Sequence, residues 1–208
     1  FSVIAKGIKN KRSQARKAIL QPFSELLIEV VGRSELKTLT HCENVNPQFV
    51  VAFKLIDKAL ACAYYANELV LRSLPEDQEF PGIFQSYQYL LEQLTLSKNY
   101  AVLLRQFELK LLTEIGVAPD FQLDISGEPI QAQNYYHLLP QEGFCLVGNS
   151  ENSSAYKGAN ILAIATGQFN NDDLMGARQI MRFLLQEVIG NRPLQSRKLW
   201  HHITHNQS

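Results

Sequence analysis

Apolar residues change their spacing twice along the chain. Over the first 44 residues they run in short β-like stretches. Residues 1–8 form one candidate strand, Leu26–Val31 (LLIEVV) a second, and residues 35–40 a third. Gly32-Arg33-Ser34 separates the last two, which predicts a hairpin with a short glycine-containing turn. Three strands with open edges are marginal alone, and a small barrel such as an OB-fold is one way to close them. The chain opens at Phe1, inside a strand and without a methionine. The expectation is that it begins part-way into such a barrel, with the early strands absent.

From Asn46-Pro47 onward the spacing is helical. Asn46 suits an N-cap and Pro47 a first helical turn. Phe49, Phe53, Ile56, Leu60, Ala63 and Leu69 then predict one helix up to Leu74, ended by Pro75. A second helix follows Pro81, with Phe84, Tyr87, Leu91 and Leu94 on one face; a third covers residues 100–115 and stops at Gly116. Residues 117–158 carry Pro119, Gly127, Pro129, Pro140, Gly143, Gly148 and Gly158 between short β-like pieces such as 143–147. They read as a loop-rich lobe inserted into a helical domain. Helix returns at 160–166 and at 172–189, where Asp172 and Asp173 occupy the positive N-terminal end and Gly190 closes the element. A last short helix is expected over 195–203.

Composition narrows the class. Of 208 residues, 46% are apolar and 19% charged, which is ordinary for a globular chain with a real core. Cys42, Cys62 and Cys145 are far apart and odd in number, which argues against a disulfide framework and against a cysteine zinc site. A reducing cytoplasm is the natural expectation. No apolar run is clean enough to span a bilayer, and no signal-peptide pattern opens the sequence.

Charge is balanced overall and uneven locally. Lys+Arg and Asp+Glu both number 20, so polyanion binding requires a local excess. Lys6, Lys9, Lys11, Arg12, Arg16 and Lys17 supply one, since the first acidic residue is Glu25. The segment reads either as a solvated loop between strands or as a loop that tracks phosphates; Phe1 and Phe23 could stack on bases or belong to the core. Arg192, Arg197 and Lys198 form a second basic group after Gly190. It either complements a helix C-terminus or extends an electropositive surface. Arg105 stands in a heavily apolar helix, LLRQFELKLL. Beside an apolar groove it would receive an acidic, hydrophobic peptide tail; otherwise it is exposed or paired within the chain. Glu108 and Glu114, six residues apart on that helix, read as surface. His201, His202 and His205 form H-H-x-x-H near the end, but the glutamate of a metalloprotease H-E-x-x-H is missing, and no metal is expected. His137 is isolated. No P-loop, G-x-G-x-x-G or G-x-S-x-G is present.

Several segments taken in order carry more than any one alone. They are Ala5-Lys6-Gly7 with Lys11-Arg12-Ser13, Leu20-Gln21-Pro22-Phe23, Gly32-Arg33 with Glu35-Leu36-Lys37-Thr38-Leu39, and Tyr65 with Asn67-Glu68-Leu69. Leu104-Arg105-Gln106-Phe107-Glu108-Leu109 with Leu111-Leu112, Gly127-Glu128-Pro129, Gly143-Phe144 and Arg192-Pro193-Leu194-Gln195-Ser196-Arg197-Lys198-Leu199 follow. Together they resemble RecO, the bacterial recombination mediator family, over essentially the whole chain.

The resemblance implies an α+β fold: an N-terminal OB-fold β-barrel, here incomplete at its N-terminus, followed by a mainly helical domain. The boundaries expected are 1–44 and 45–208, with the loop-rich lobe at 117–158. It implies binding to single- and double-stranded DNA, strand annealing, and action with RecR to load RecA onto DNA coated by single-stranded-DNA-binding protein. Lys6, Lys9, Lys11, Arg12, Arg16 and Lys17 become the DNA site. Arg105 becomes the receiver of the acidic tail of single-stranded-DNA-binding protein, with Arg192, Arg197 and Lys198 a secondary basic surface. Some members carry a four-cysteine zinc site where this chain has only Cys145, so no zinc and no other cofactor is expected. The expected protein is a non-enzymatic, bacterial cytoplasmic, nucleoid-associated repair mediator with no membrane partner. A protein-interaction adaptor without direct DNA binding is the alternative, and a metal-dependent hydrolase using the terminal histidines is a third class.

Overall fold

The computed structural model describes residues 2–7, 14–34, 36–45, 54–76, 78–148 and 154–205, with backbone only at 14–16, 171, 204 and 205. The N-terminal part holds β1 (Ser2–Ile4), a short helix α1 (Gln14–Ile19), β2 (Leu26–Val31) and β3 (Leu36–Asn44). They form a three-stranded sheet in the order β1-β3-β2, with β2 and β3 antiparallel and β1 parallel to β3. The β2–β3 hairpin expected around Gly32 is present. Gly32 has φ 132°, a left-handed value that a side chain would strain. A bulge between Glu29 and Val30 shifts its register.

The expected barrel is an incomplete one, and among the described residues none closes: the sheet is open, and Val3, Ile4, Leu27, Ile28 and Val31 remain exposed on it. One expectation for this region is corrected. The segment read as a loop between strands contains α1, so Lys17 stands on a helix.

The helix expected to run unbroken from Pro47 to Leu74 is interrupted, since residues 54–56 are not helical. Residues 46–53 lie outside the described set, and α2 spans Asp57–Ser73. Ile56 is extended (φ −123°, ψ 157°) and Asp57 has φ 47°, so the backbone breaks there and Ile56 faces solvent. The buried face of α2 is made by Ala59, Cys62, Ala63, Ala66 and Leu69, small residues that let neighbouring helices approach closely. Helix α3 (Pro81–Leu96) starts with its proline in the first turn, and α4 (Tyr100–Glu114) ends just before Gly116. Phe84, expected on the apolar face of α3, is 52% exposed, while Ile83, Leu90, Leu91 and Leu94 supply the buried face.

Of the expected lobe at 117–158, the described residues 117–148 and 154–158 share the main core. Strands β4 (Tyr135–Leu139), β5 (Gly143–Gly148) and β6 (Tyr156–Lys157) form a sheet in the order β5-β4-β6. Phe121, Ile130, Tyr136, Leu138 and Phe144 pack in one cluster with Leu69 of α2 and Leu111 and Leu112 of α4. Ile161 and Ile164 of α5 (Gly158–Thr166) and Ile180 and Met181 of α6 (Asn171–Ile189) complete that cluster. Asn170 caps α6 reciprocally. Its side chain accepts from Asp173 N at 2.8 Å, and the Asp173 carboxylate accepts from Asn170 N at 3.3 Å. Helix α7 (Ser196–His205) lies against α2. A second cluster under α2, α3 and α4 takes in Phe23, whose ring meets Tyr64 edge-on at 5.1 Å. Phe23 is thus a packing residue between the N-terminal part and α2.

Candidate binding cleft

Helices α2, α4, α6 and α7 enclose a cleft of about 570 Å³, within the size range of ligand sites. Tyr65 and Leu69 of α2 line it with Leu104, Arg105 and Glu108 of α4. Arg178, Arg182 and Leu185 come from α6, Arg192 and Leu194 from the α6–α7 connection, and Arg197 and Trp200 from α7. Among the described residues, five arginines therefore meet one carboxylate, Glu108, over a partly apolar lining.

The floor is a buried three-residue network. Arg105 donates from Nη2 to Glu108 Oε1 one helical turn on, and Tyr65 OH donates to the same oxygen at 2.7 Å. Glu108 is fully buried and Arg105 is 8% exposed. Burial pushes the Glu108 carboxyl up. Arg105, the Tyr65 hydroxyl and the more distant Arg178 pull it down without cancelling the rise. Burial and the neighbouring carboxylate raise the Tyr65 hydroxyl well above its usual range. Burial likewise lifts the Cys62 thiol to about 12, with Arg105 opposing. Glu108 corrects the surface reading made from its spacing to Glu114. Its position three residues after Arg105 and four before Leu112 puts it on the inward face of α4.

The far wall is held by two charged residues of α2. Glu68 accepts from Gln195 N and Ser196 N, both at 2.9 Å, and from Ser196 Oγ at 2.8 Å. A carboxylate at the N-terminus of α7 also complements the helix dipole. Arg72 donates to the carbonyls of Ile189 at 2.7 Å and Arg192 at 2.9 Å, and approaches Glu68 at 3.6 Å. These bonds fix the 189–196 connection beside the cleft. By contrast, the side chains of Arg178, Arg182, Arg192 and Arg197 make no hydrogen bond or ion pair with any described residue.

Residues 58–198 match the family described as Recombination protein O C terminal. The chain belongs to the RecO family. It is 36% identical over 200 residues to the DNA repair protein RecO of Pseudoalteromonas atlantica, covering 96% of this chain and 81% of that protein. Identity to the DNA repair protein RecO of Alteromonas mediterranea is 36% over 202 residues, covering 96% and 84%. For that of Cellvibrio japonicus it is 35% over 203 residues, with the same coverage. This is a RecO-family DNA repair protein of mixed α+β fold, and the cleft lies within the part that matches the family.

The structure brings some of the expected site residues together and leaves others apart. Arg105, Arg192 and Arg197 line one cleft, while Lys198 is exposed on α7 and is not among its lining residues. Lys6 is exposed in the turn after β1 and Lys17 is exposed on α1. Lys9, Lys11 and Arg12, and the side chain of Arg16, lie outside the described residues. Arg178, Arg182, Tyr65, Glu68 and Arg72 were not anticipated as functional. Only the i,i+4 spacing of Arg178 and Arg182, which puts both on one face of α6, signals them in sequence. His137 meets the carbonyl of Ser154 at 3.3 Å. His201 lines the cleft, and the side chain of His205 lies outside the described residues. Among the described residues, no three His, Cys, Asp or Glu side chains are placed to hold a metal ion. Among them, too, no helix is long and apolar enough to cross a membrane.

Proposed function

We propose that this RecO-family protein is a non-enzymatic mediator of DNA repair and recombination. It binds and anneals single- and double-stranded DNA and, with RecR, helps load RecA onto DNA coated by single-stranded-DNA-binding protein. In this reading Lys6, Lys9, Lys11, Arg12, Arg16 and Lys17 contact phosphates, and the cleft around Arg105 receives the acidic tail of single-stranded-DNA-binding protein. One observation supports the second assignment above all: among the described residues, five arginines converge on a partly apolar cleft that holds a single, already bonded carboxylate. An acidic peptide with an apolar end matches both halves of that lining.

Titration of a labelled acidic C-terminal peptide tests this. Arg105→Ala should weaken binding about tenfold or more in a protein that still unfolds cooperatively, although at a lower Tm because the buried Glu108 loses its cation. Unchanged affinity would remove the assignment. For DNA, a single-stranded oligonucleotide titrated across a salt series should give a log–log slope of roughly −4 if all six cations of the basic segment neutralise phosphates. Absent or salt-independent binding would favour the second reading, a protein-interaction adaptor without direct DNA contact. The zero net charge and the concentration of arginines in a peptide-sized cleft support that alternative.

A further inference from the structure

Arg105 is in an unusual position for an arginine. A long cationic side chain beside a cleft normally extends its head into water. Arg105 instead lies low, 8% exposed, with Nη2 bonded to the buried Glu108. Its Nε is sealed from solvent without a partner, while Nη1 has no partner among the described residues and is not sealed. Arg105 lines the cleft, so Nη1 is a guanidinium nitrogen left without a described partner there. Glu108 is itself fixed from a second helix, since Tyr65 OH of α2 donates to the same Oε1 at 2.7 Å. Its other oxygen, Oε2, is buried without a partner. A carboxylate that is fully buried and incompletely bonded is a poor device for stability, because an apolar residue of similar volume avoids its desolvation. Its effect on Arg105 is the other candidate.

We infer that Glu108, oriented by Tyr65, is a positioning residue that holds the Arg105 guanidinium at the floor of the cleft with Nη1 left for an incoming carboxylate. This rests on the reading of the cleft as an acidic-peptide site. It opposes the simpler electrostatic account. If Glu108 only offset positive charge, removing its charge would strengthen binding of an anion in a cleft of five arginines. If it positions Arg105, removing it weakens binding despite the gain in positive charge. The sign of the effect separates the two.

The experiment measures affinity of a synthetic acidic peptide, ending in an apolar residue with a free carboxylate, for the full chain and its Arg105→Ala, Glu108→Gln and Tyr65→Phe variants. Glu108→Gln should bind about tenfold more weakly, the scale of one hydrogen bond to a charged group. Adding it to Arg105→Ala should cause no further loss, because it acts through Arg105. Tyr65→Phe leaves every charge in place, so electrostatics predicts no change, whereas positioning predicts a loss of a few-fold. If Glu108→Gln fails to fold, this variant decides by itself. A second readout is the Arg105 guanidinium resonance in a ¹⁵N spectrum. It should be resolved and slow to exchange in the parent protein and should broaden in Glu108→Gln, a change that a merely structural glutamate would not cause in a folded variant. Weaker binding by Arg105→Ala with parental or tighter binding by the other two overturns the inference alone. Unchanged binding by Arg105→Ala overturns the cleft reading, and the inference with it.

Discussion

Replacing Glu68 by alanine removes the acceptor of three hydrogen bonds at the start of α7: from Gln195 N, Ser196 N and Ser196 Oγ, at 2.8–2.9 Å. It also removes the carboxylate 3.6 Å from Arg72. Loss of an N-terminal cap costs about 1 kcal/mol, and hydrogen bonds to a charged acceptor contribute about 1.5–3 kcal/mol each. Gln195 is exposed, so water substitutes for part of what is lost. The clip is then worth about 2 kcal/mol. Because α7 and its connection pack on α2 while the main core is built elsewhere, the loss should be local, an easier undocking of α7 and not global unfolding.

Amide hydrogen exchange reads that opening directly. At 1.4 kcal/mol per tenfold, residues 195–203 should exchange about 30-fold faster in Glu68→Ala, with α4 and α6 unchanged. Trp200, the sole tryptophan of the chain, lines the cleft on α7, and its fluorescence should shift toward that of a more hydrated indole. The pH dependence has a definite sign. Burial raises the Glu68 carboxyl, but the backbone N–H groups of Ser196 and Gln195, the Ser196 hydroxyl and Arg72 together hold it below its ordinary 4.5. A depressed folded value means the clip is fully present above 4.5 and is lost as pH falls through the lower folded value. Exchange rates in 195–203 within about twofold of the parent would refute the reasoning.

Other consequences follow from burial. Phe144→Ala should cost about 3–5 kcal/mol in denaturant unfolding, because Phe144 is fully buried between the β4–β5 sheet and the helices; a cost near zero would show that residues 117–148 are dispensable to the core. Gly158→Ala should lower Tm by several degrees, since the added Cβ would fall on the backbone oxygen of Gln131; an unchanged melt would mean the β6–α5 junction yields freely. Cys62 should stay unmodified by a thiol reagent under native conditions while Cys42 and Cys145 react, because burial raises its thiol to about 12; mass spectrometry of the peptides checks this. For Glu108 the raised folded value reverses the usual acid behaviour. Its contribution to stability falls as pH rises from the ordinary 4.5 through the higher folded value, so Glu108→Gln should remove that component from a stability–pH series.

What could be read from sequence was what local chemistry dictates. The boundaries of α4 follow its apolar spacing and Gly116, and α6 begins with acidic residues and ends before Gly190. The helix up to Leu74 reads as unbroken because its apolar spacing is helical throughout, whereas the break depends on the backbone at Ile56 and Asp57. α1 was missed because its six residues are too few to show a period and are crowded with charge. In the cleft, Arg105 stood out as a cation in an apolar helix. Glu108 did not, because an acid beside hydrophobic residues looks the same whether it faces water or a partner 43 residues earlier. Arg178 and Arg182 needed knowledge of which face of α6 turns toward α4 and α7, and that is a property of packing.

The charges that were not legible also decide how the cleft behaves when empty. Arg178 and Arg182 are one turn apart on α6, an arrangement that costs a few tenths of a kcal/mol when unopposed. Arg192 and Arg197 add like charge on the facing wall, and none of the four is bonded to a described residue. Arg105 alone is matched from below. The clip formed by Glu68 and Arg72 keeps this wall in place although its own charges repel the others. On the proposed reading, an anion that entered the cleft would relieve the repulsion and gain Arg105 as a partner in one step. Its binding free energy therefore adds to the stability of α7, and by linkage a saturating acidic peptide at 100 times its Kd should stabilise the fold by about 2.7 kcal/mol. Glu68→Ala should weaken the same peptide although Glu68 is not among the cleft-lining residues, because part of the binding energy must then redock the helix. Equal peptide affinity in Glu68→Ala and the parent, with α7 shown to be undocked by exchange, would mean that the α7 wall is irrelevant to the ligand.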